Sequence, residues 1–322
     1  MTAPYLIGLI GARGHTGREL LALIDAHPEL MLAYASSREF AGRPVADVAP
    51  GLHDDVAFEA LSPQDAATRR ADVVILALPD GAAAPFVAAF DEAAPERILV
   101  DLSADARFDD QWAYGLPELG RARIAGAKRI ANPGCYATAM QLALAPLVDR
   151  ISGAPSVFGV SGYSGAGSTP NPRNDVARLA DNLMPYALTG HKHEREASRH
   201  LKTPVRFTPH VHPAFRGIVV TAHAPLRATT QADDVYDLFA ARYAREPLVD
   251  VRREPAELKD GAERLGVVLG GFAVGEGAAG PWAVVTAAED NLLKGAAVQA
   301  IQNVNLALGL DEFTGLTVGA GA

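Results

Sequence analysis

A short apolar run, Tyr5 to Ile10, ends on Gly11, Gly14 and Gly17. It passes directly into Thr16 to Ala26, where Leu20, Leu21, Leu23 and Ile24 group as on one side of a helix. Strand, tight turn and helix in that order predict the opening of a βαβ unit. Missing side chains let such a turn close and let phosphate oxygens approach backbone N–H groups at the helix start. The spacing differs from the commoner Gly-x-Gly-x-x-Gly form, and a purely structural turn is the competing reading.

Further apolar runs at Leu30 to Ala35, Val73 to Leu78 and Ile98 to Leu102 read as strands of the same kind. Continuous apolar strands separated by helical patterns predict an α/β fold with a parallel sheet covered on both faces, a Rossmann-like dinucleotide-binding domain. After the second strand come Ser36, Ser37 and Arg38, with no acid before Glu39. An acid there would bind the ribose hydroxyls of NAD, whereas neutral donors and a cation suit an added phosphate, so the expected cofactor is NADP. Arg38 also reads as an ordinary surface arginine.

The texture changes after Asn132, Pro133 and Gly134. Thr138 to Leu147 predicts a helix, and Val157 to Val160, Ile218 to Ala222, Val267 to Val274 and Val284 to Ala288 predict strands of a second, mixed sheet. Gly159 to Gly167 reads as a loop at a site or between strands. From Leu293 to Leu308 apolar residues form one helical stripe that can return to the first domain. The expected division is residues 1–133 with 291–322, and 134–290.

With 322 residues, 49% of them hydrophobic, the chain can bury one large or two medium cores. A net charge of -9 gives no general field for nucleic acid or an anionic membrane. No apolar run is long enough to cross a bilayer, and the first residues read as strand rather than leader. The single cysteine excludes an internal disulfide and a thiolate metal cluster, so no metal is expected and a cytoplasmic, reducing location is.

That cysteine, Cys135, follows Asn132-Pro133-Gly134 and precedes an apolar helix. Helix-start dipoles favour a thiolate, and nearby N–H groups can stabilise an oxyanion; a small buried core cysteine is the alternative. His191-Lys192-His193-Glu194-Arg195-Glu196 gathers ionisable groups that can supply a base, can hold a metal, or can simply be solvated. His191 and His193 share a face on a strand or converge from a loop, but not on a regular helix. Arg107 and Arg216 each suit a substrate carboxylate or phosphate, or an ion pair between elements. Pro209-His210-Val211-His212-Pro213 reads as a polar cluster ahead of a strand. Tyr114 and Glu118 can shape the same mouth as Arg107.

Taken in order, these residues resemble the N-acetyl-gamma-glutamyl-phosphate reductases within the semialdehyde dehydrogenase group. The likeness runs through Gly11-Ala12-Arg13-Gly14-His15-Thr16-Gly17, Leu76-Ala77-Leu78-Pro79, Asp101-Leu102-Ser103-Ala104-Asp105 and Asn132-Pro133-Gly134-Cys135-Tyr136. It continues through Gly159-Val160-Ser161-Gly162, His191-Lys192-His193, Pro209-His210, Arg216-Gly217 and Asp290 to Ala297. The resemblance implies an NADP-binding domain plus an α+β semialdehyde-dehydrogenase domain for catalysis and dimerisation. It also implies NADPH-dependent reduction of an acyl phosphate through a cysteine thioester, in arginine biosynthesis. It makes Cys135 the nucleophile and His191 the acid/base. Arg107, His193, Glu196 and Arg216 become substrate-binding, with Arg195 standing where the family usually has Pro. Gly11, Gly14, His15, Thr16, Gly17, Ser36, Ser37, Arg38, Leu78, Pro79, Ser161, Gly162 and Asn291 become cofactor-binding. Expected partners are a small-molecule substrate, inorganic phosphate and other copies of the chain, as a homodimer or homotetramer. Rival readings are reduction of aspartyl or carrier-linked aminoadipyl phosphate, and a nicotinamide-binding regulator without catalysis.

Overall fold

The computed structural model describes residues 3–53 and 55–316. Two compact units emerge: residues up to Pro133 together with those from Ala296 onward, and Gly134–Gly295.

The first unit holds strands β1 Tyr5–Ile10, β2 Leu30–Ser36, β3 Phe58–Glu59, β4 Val73–Leu76, β5 Ile98–Asp101, β6 Ala113–Tyr114 and β7 Arg129–Ala131. They pair in parallel in the order β3-β2-β1-β4-β5-β7-β6. β4 and β5 are buried at every position, the signature of strands enclosed on both faces. The order reverses between β1 and β4, so the glycine turn after β1 lies at the switch point where such sheets bind ligands. Helix Val298–Leu308 packs on helices His15–Asp25 and Pro117–Ile124 and on β5. Its buried Gln299 and Asn303 donate to the Gly115 carbonyl at 2.7 and 3.0 Å.

The second unit contains β8 Ser156–Gly162, β9 Met184–Pro185, β10 Arg206–His212, β11 Ile218–Pro225, β12 Val249–Val251, β13 Val267–Gly277 and β14 Gly280–Glu289. Its mixed sheet runs β12-β13-β14-β11-β8-β10-β9. Helix Cys135–Leu144 is buried from Tyr136 to Leu144, as its all-round apolar sequence demands. It packs on β11, β14 and helix Lys192–Leu201.

Several expectations change. The helix read from Thr138 begins at Cys135 and ends at Leu144, giving way to a 3-10 turn, Ala145–Arg150, whose early Pro146 lacks an N–H. Gly159 to Gly162 is strand, not loop: a Cβ at Gly159 would lie 2.6 Å from the Tyr136 ring and 2.7 Å from that of Phe207. The polar stretch around Pro209 is strand β10 itself. The C-terminal helix is broken by a π turn at Leu293–Ala297. Residues 291–295 group with the second unit, because Asn291 bonds Gly217 and Gly295 packs on Cys135.

Candidate active site

In the first unit, the N–H groups of Gly11 and Ala12 donate to the Ser36 carbonyl at 3.0 and 3.1 Å, binding the glycine turn to the end of β2. Gly11 has φ +86°, and a Cβ there would strike the Ala77 carbonyl oxygen at 2.2 Å. Helix His15–Asp25 then starts from Gly14 with no side-chain cap and no acid in its first turn. Its leading N–H groups, flanked by His15, Thr16 and Gly17, thus suit an anion rather than a side chain. Ser36 and Ser37 are buried at the strand end and Arg38 is exposed. The Ser37 hydroxyl accepts from Phe40 N at 3.2 Å, and Glu39, the first acid, is paired with Arg13. Leu78 is half-buried beside Gly11, and Pro79 is exposed.

Arg107, also in this unit, is buried. Its Nε donates to the Asn132 carbonyl at 2.8 Å and a terminal nitrogen to the Leu102 carbonyl at 2.7 Å. These bonds brace the segments after β5 and β7. Beside it, burial raises the Asp101 carboxyl above its usual range, opposed by hydrogen bonds from Ser103 and the charge of Arg107.

In the second unit, Cys135 is the first residue of its helix and half-buried. Gly134, before it, provides no side-chain cap. Both chain neighbours of the cysteine touch the His191–Glu196 segment. Gly134 N donates to Glu196 Oε1 at 2.9 Å, and the Tyr136 ring lies 6.4 Å from that of His191 and 6.2 Å from that of His193. The segment is a helix start, not strand or loop. His191 caps helix Lys192–Leu201, its Nδ1 accepting from His193 N at 3.1 Å. That bond assigns the neutral ring's proton to Nε2. His193, Glu196, Ala197 and Leu201 form the helix's buried side.

Arg216 Nε lies 3.3 Å from the fully buried Asp290 carboxylate. Asn291 Oδ1 accepts from Gly217 N, and its Nδ2 donates to Ser164 Oγ, both at 2.9 Å, so this amide holds a turn together. Ser161 Oγ donates to the Gly162 carbonyl at 2.7 Å. Two residues passed over by the sequence reading join this set. The Tyr186 ring stands 5.7 Å from His191, edge to face, and the Arg173 guanidinium lies over Tyr186 at 5.0 Å. Burial and the charge of Cys135 push the Tyr186 phenol well above its usual value, against the pull of Arg173. Tyr136 is raised likewise, chiefly by burial. Neither Tyr186 nor Arg173 lies in a patterned stretch, so no periodicity announces them. Among the described residues, no group of three or more His, Cys, Asp or Glu side chains is arranged to hold a metal, and no helix is long and apolar enough to cross a membrane.

Comparison with known proteins places residues 6–127 in the family described as semialdehyde dehydrogenase, NAD binding domain, and 135–291 in semialdehyde dehydrogenase, dimerisation domain. The chain is 54% identical over 315 residues to an N-acetyl-gamma-glutamyl-phosphate reductase of Xylella fastidiosa, covering 98% of this chain and 96% of that protein. It is 54% identical over 313 residues to its namesake in Xanthomonas campestris, covering 97% and 98%. Among solved structures it is similar to aspartate semialdehyde dehydrogenase II of Vibrio cholerae complexed with ASA, with TM-score 0.77 at 18% identity over 96% of this chain and 99% of that one. Aspartate semialdehyde dehydrogenase with NADP from Candida albicans gives TM-score 0.74 at 17% identity over 95% and 99%. At such identity the structural likeness is one of fold.

Proposed function

Because the chain belongs to the N-acetyl-gamma-glutamyl-phosphate reductase family, we propose that it reduces N-acetyl-L-glutamyl 5-phosphate to N-acetyl-L-glutamate 5-semialdehyde and phosphate, using NADPH, in arginine biosynthesis. The observation that carries this reading is the attachment of both neighbours of Cys135 to the His191–Glu196 segment.

Chemistry follows from the charges. Cys135 occupies the positive end of a helix of 10 residues, which favours its thiolate. The thiolate attacks the acyl carbon, a C–S bond forms, and the C–O bond to phosphate breaks with its electron pair leaving on phosphate. The proton consumed in the net reaction ends on that phosphate. His191 carries its proton on Nε2 and donates a hydrogen bond to the acyl oxygen, where negative charge gathers in each tetrahedral state. The acid/base expected from the sequence therefore acts first as a donor. The thioester keeps the acyl group fixed to the protein after phosphate departs. NADPH, when bound, supplies the hydride that converts thioester to aldehyde, and Cys135 is released as thiolate. Glu196 fixes the turn bearing the nucleophile. His193 and Arg216 serve the substrate's polar groups.

The first unit fits the dinucleotide. Gly11, Gly14, His15, Thr16 and Gly17 would hold its pyrophosphate at the uncapped helix, with Leu78 and Pro79 beside the turn. Ser36, Ser37 and Arg38 would take the ribose phosphate that distinguishes NADP. The outer face of the second sheet supports self-association into a homodimer or homotetramer. Phe158 is 43% exposed there, in register with Thr221, which in turn pairs with Thr286. A thiolate enzyme with one cysteine suits the cytoplasm.

Purified protein given N-acetylglutamate semialdehyde, phosphate and NADP should form NADPH by the reverse reaction; turnover of aspartate semialdehyde instead would overturn the substrate assignment. Cys135→Ser should abolish turnover while cofactor binding persists. Phe158→Glu should lower the mass measured by light scattering.

A further inference from the structure

Between β8 and the catalytic imidazole the chain makes an irregular excursion. Asn171 and Asn174 lock its first part. Asn171 Oδ1 accepts from Arg173 N at 3.0 Å, Asn174 Oδ1 accepts from Asn171 N at 2.8 Å, and Asn174 Nδ2 donates to the carbonyls of Gly167 and Thr169, both at 2.8 Å. Arg173 is thus presented from a fixed backbone. Its guanidinium covers the Tyr186 ring at 5.0 Å. Tyr186 is held independently by its own backbone, whose N–H donates to the Pro209 carbonyl at 3.2 Å, directly after β9 pairs with His210 and Val211. The next residue, Ala187, sits at φ +41°, a left-handed conformation that an alanine rarely adopts, and turns the chain back towards His191.

We propose that Arg173 and Tyr186 are a positioning pair for His191: the guanidinium fixes the aromatic ring by its face, and the ring, packed edge to face with the imidazole, fixes His191. The proposal rests on His191 serving the reaction as above. Phe207 and His193 flank the same ring at centroid distances of 5.4 and 4.8 Å, and the Nδ1 cap bond fixes only one of its edges. Tyr186 closes a further side. Tyr186 also lies within reach of the charge of a Cys135 thiolate, so a displaced ring changes the sulfur's surroundings as well.

The test compares Arg173→Ala, Arg173→Lys, Tyr186→Leu and the double variant Arg173→Ala/Tyr186→Leu in steady-state kinetics of the reverse reaction. Each of Arg173→Ala and Tyr186→Leu should lower kcat about tenfold with KM nearly unchanged, as for a group acting on the bound state. The double variant should be no worse than the more impaired single one, since each residue works through the other. Arg173→Lys should recover most of the loss by restoring a cation over the ring. Additive losses, wild-type kcat in the single variants, or a raised KM at full kcat would overturn the proposal; the last would make Arg173 a substrate ligand. Alkylation of Cys135 by iodoacetamide needs no substrate, so it separates this proposal from the assignment of the acyl phosphate. The rate should fall several-fold in Arg173→Ala and return in Arg173→Lys; a rate indifferent to both would sink it.

Discussion

Gly134 N donates to Glu196 Oε1 at 2.9 Å, so the residue before the nucleophile is tied to the helix that His191 caps. Glu196 is fully buried, and its carboxylate holds the backbone of the residue before Cys135. Glu196→Ala leaves a buried N–H without this acceptor. Chemical denaturation should show a loss of about 1–3 kcal/mol, and kcat should fall about tenfold or more. Glu196→Gln retains an acceptor oxygen and should lose less on both measures.

Gly295 is required by the nucleophile's own Cβ. A side chain there would begin 2.6 Å from Cys135 Cβ and 3.0 Å from Glu289 Oε1, well inside ordinary carbon packing distance. Gly295→Ala therefore forces either Cys135 or the Leu293–Ala297 turn to shift, and a shift at Cys135 moves the start of its helix. A shift of about 1 Å at a reacting atom costs about 100-fold in rate. Stopped-flow and steady-state assays should show that loss in kcat, with NADP affinity preserved.

The Arg216 and Asp290 pair predicts a stability effect at a position that the sequence assigns to substrate. Asp290 is wholly buried and also accepts from Leu292 N at 2.8 Å and Glu263 N at 2.7 Å. Removing the cation strands a carboxylate, so Arg216→Met should cost about 3–5 kcal/mol. Adding Asp290→Asn should recover part of it, as thermal melts of the single and double variants would show.

His27 gives the first unit a defined response to acid. Its Nε2 meets Asn305 Oδ1 at 3.0 Å and its Nδ1 accepts from Glu29 N at 3.1 Å, a neutral arrangement. Burial lowers its pKa below the ordinary 6.5, opposed by the Asn305 bond. In this window the unfolded chain binds more protons than the folded one. The stabilisation is complete above about pH 6.5 and is lost as pH falls through the folded value, with a slope of at most about 1.4 kcal/mol per pH unit. Denaturation of wild type and His27→Gln between pH 5 and 8 should show a flatter curve for the variant.

What the sequence discloses tracks how regular each environment is. β1, β4 and β5 are enclosed strands, and enclosure leaves unbroken apolar runs that any reader of the chain can find. β3, β6 and β9 have two residues each, too few for a period. Pro209 and three polar neighbours disguise β10, which tolerates a proline beside the short outer strand β9. Helix Lys192–Leu201 is hidden for another reason: its buried side includes His193 and Glu196, which read as solvent-facing. Cys135 and His191 stood out by chemistry and motif. Arg173 and Tyr186 did not, since their contact joins two irregular stretches that only folding brings together.

Gly134 and Gly295, the ends of the second unit, bracket one spot, for Gly295 packs against the residue that follows Gly134. In the first unit the cut ends are also close: Asn132 Nδ2 donates to the Ala296 carbonyl at 3.2 Å. In sequence the molecule is thus a two-piece host with a single-piece guest. The chain crosses between the two at a single pair of junctions, 133–134 and 295–296, so an insertion at either junction leaves the hydrogen-bonded strands within each unit uninterrupted.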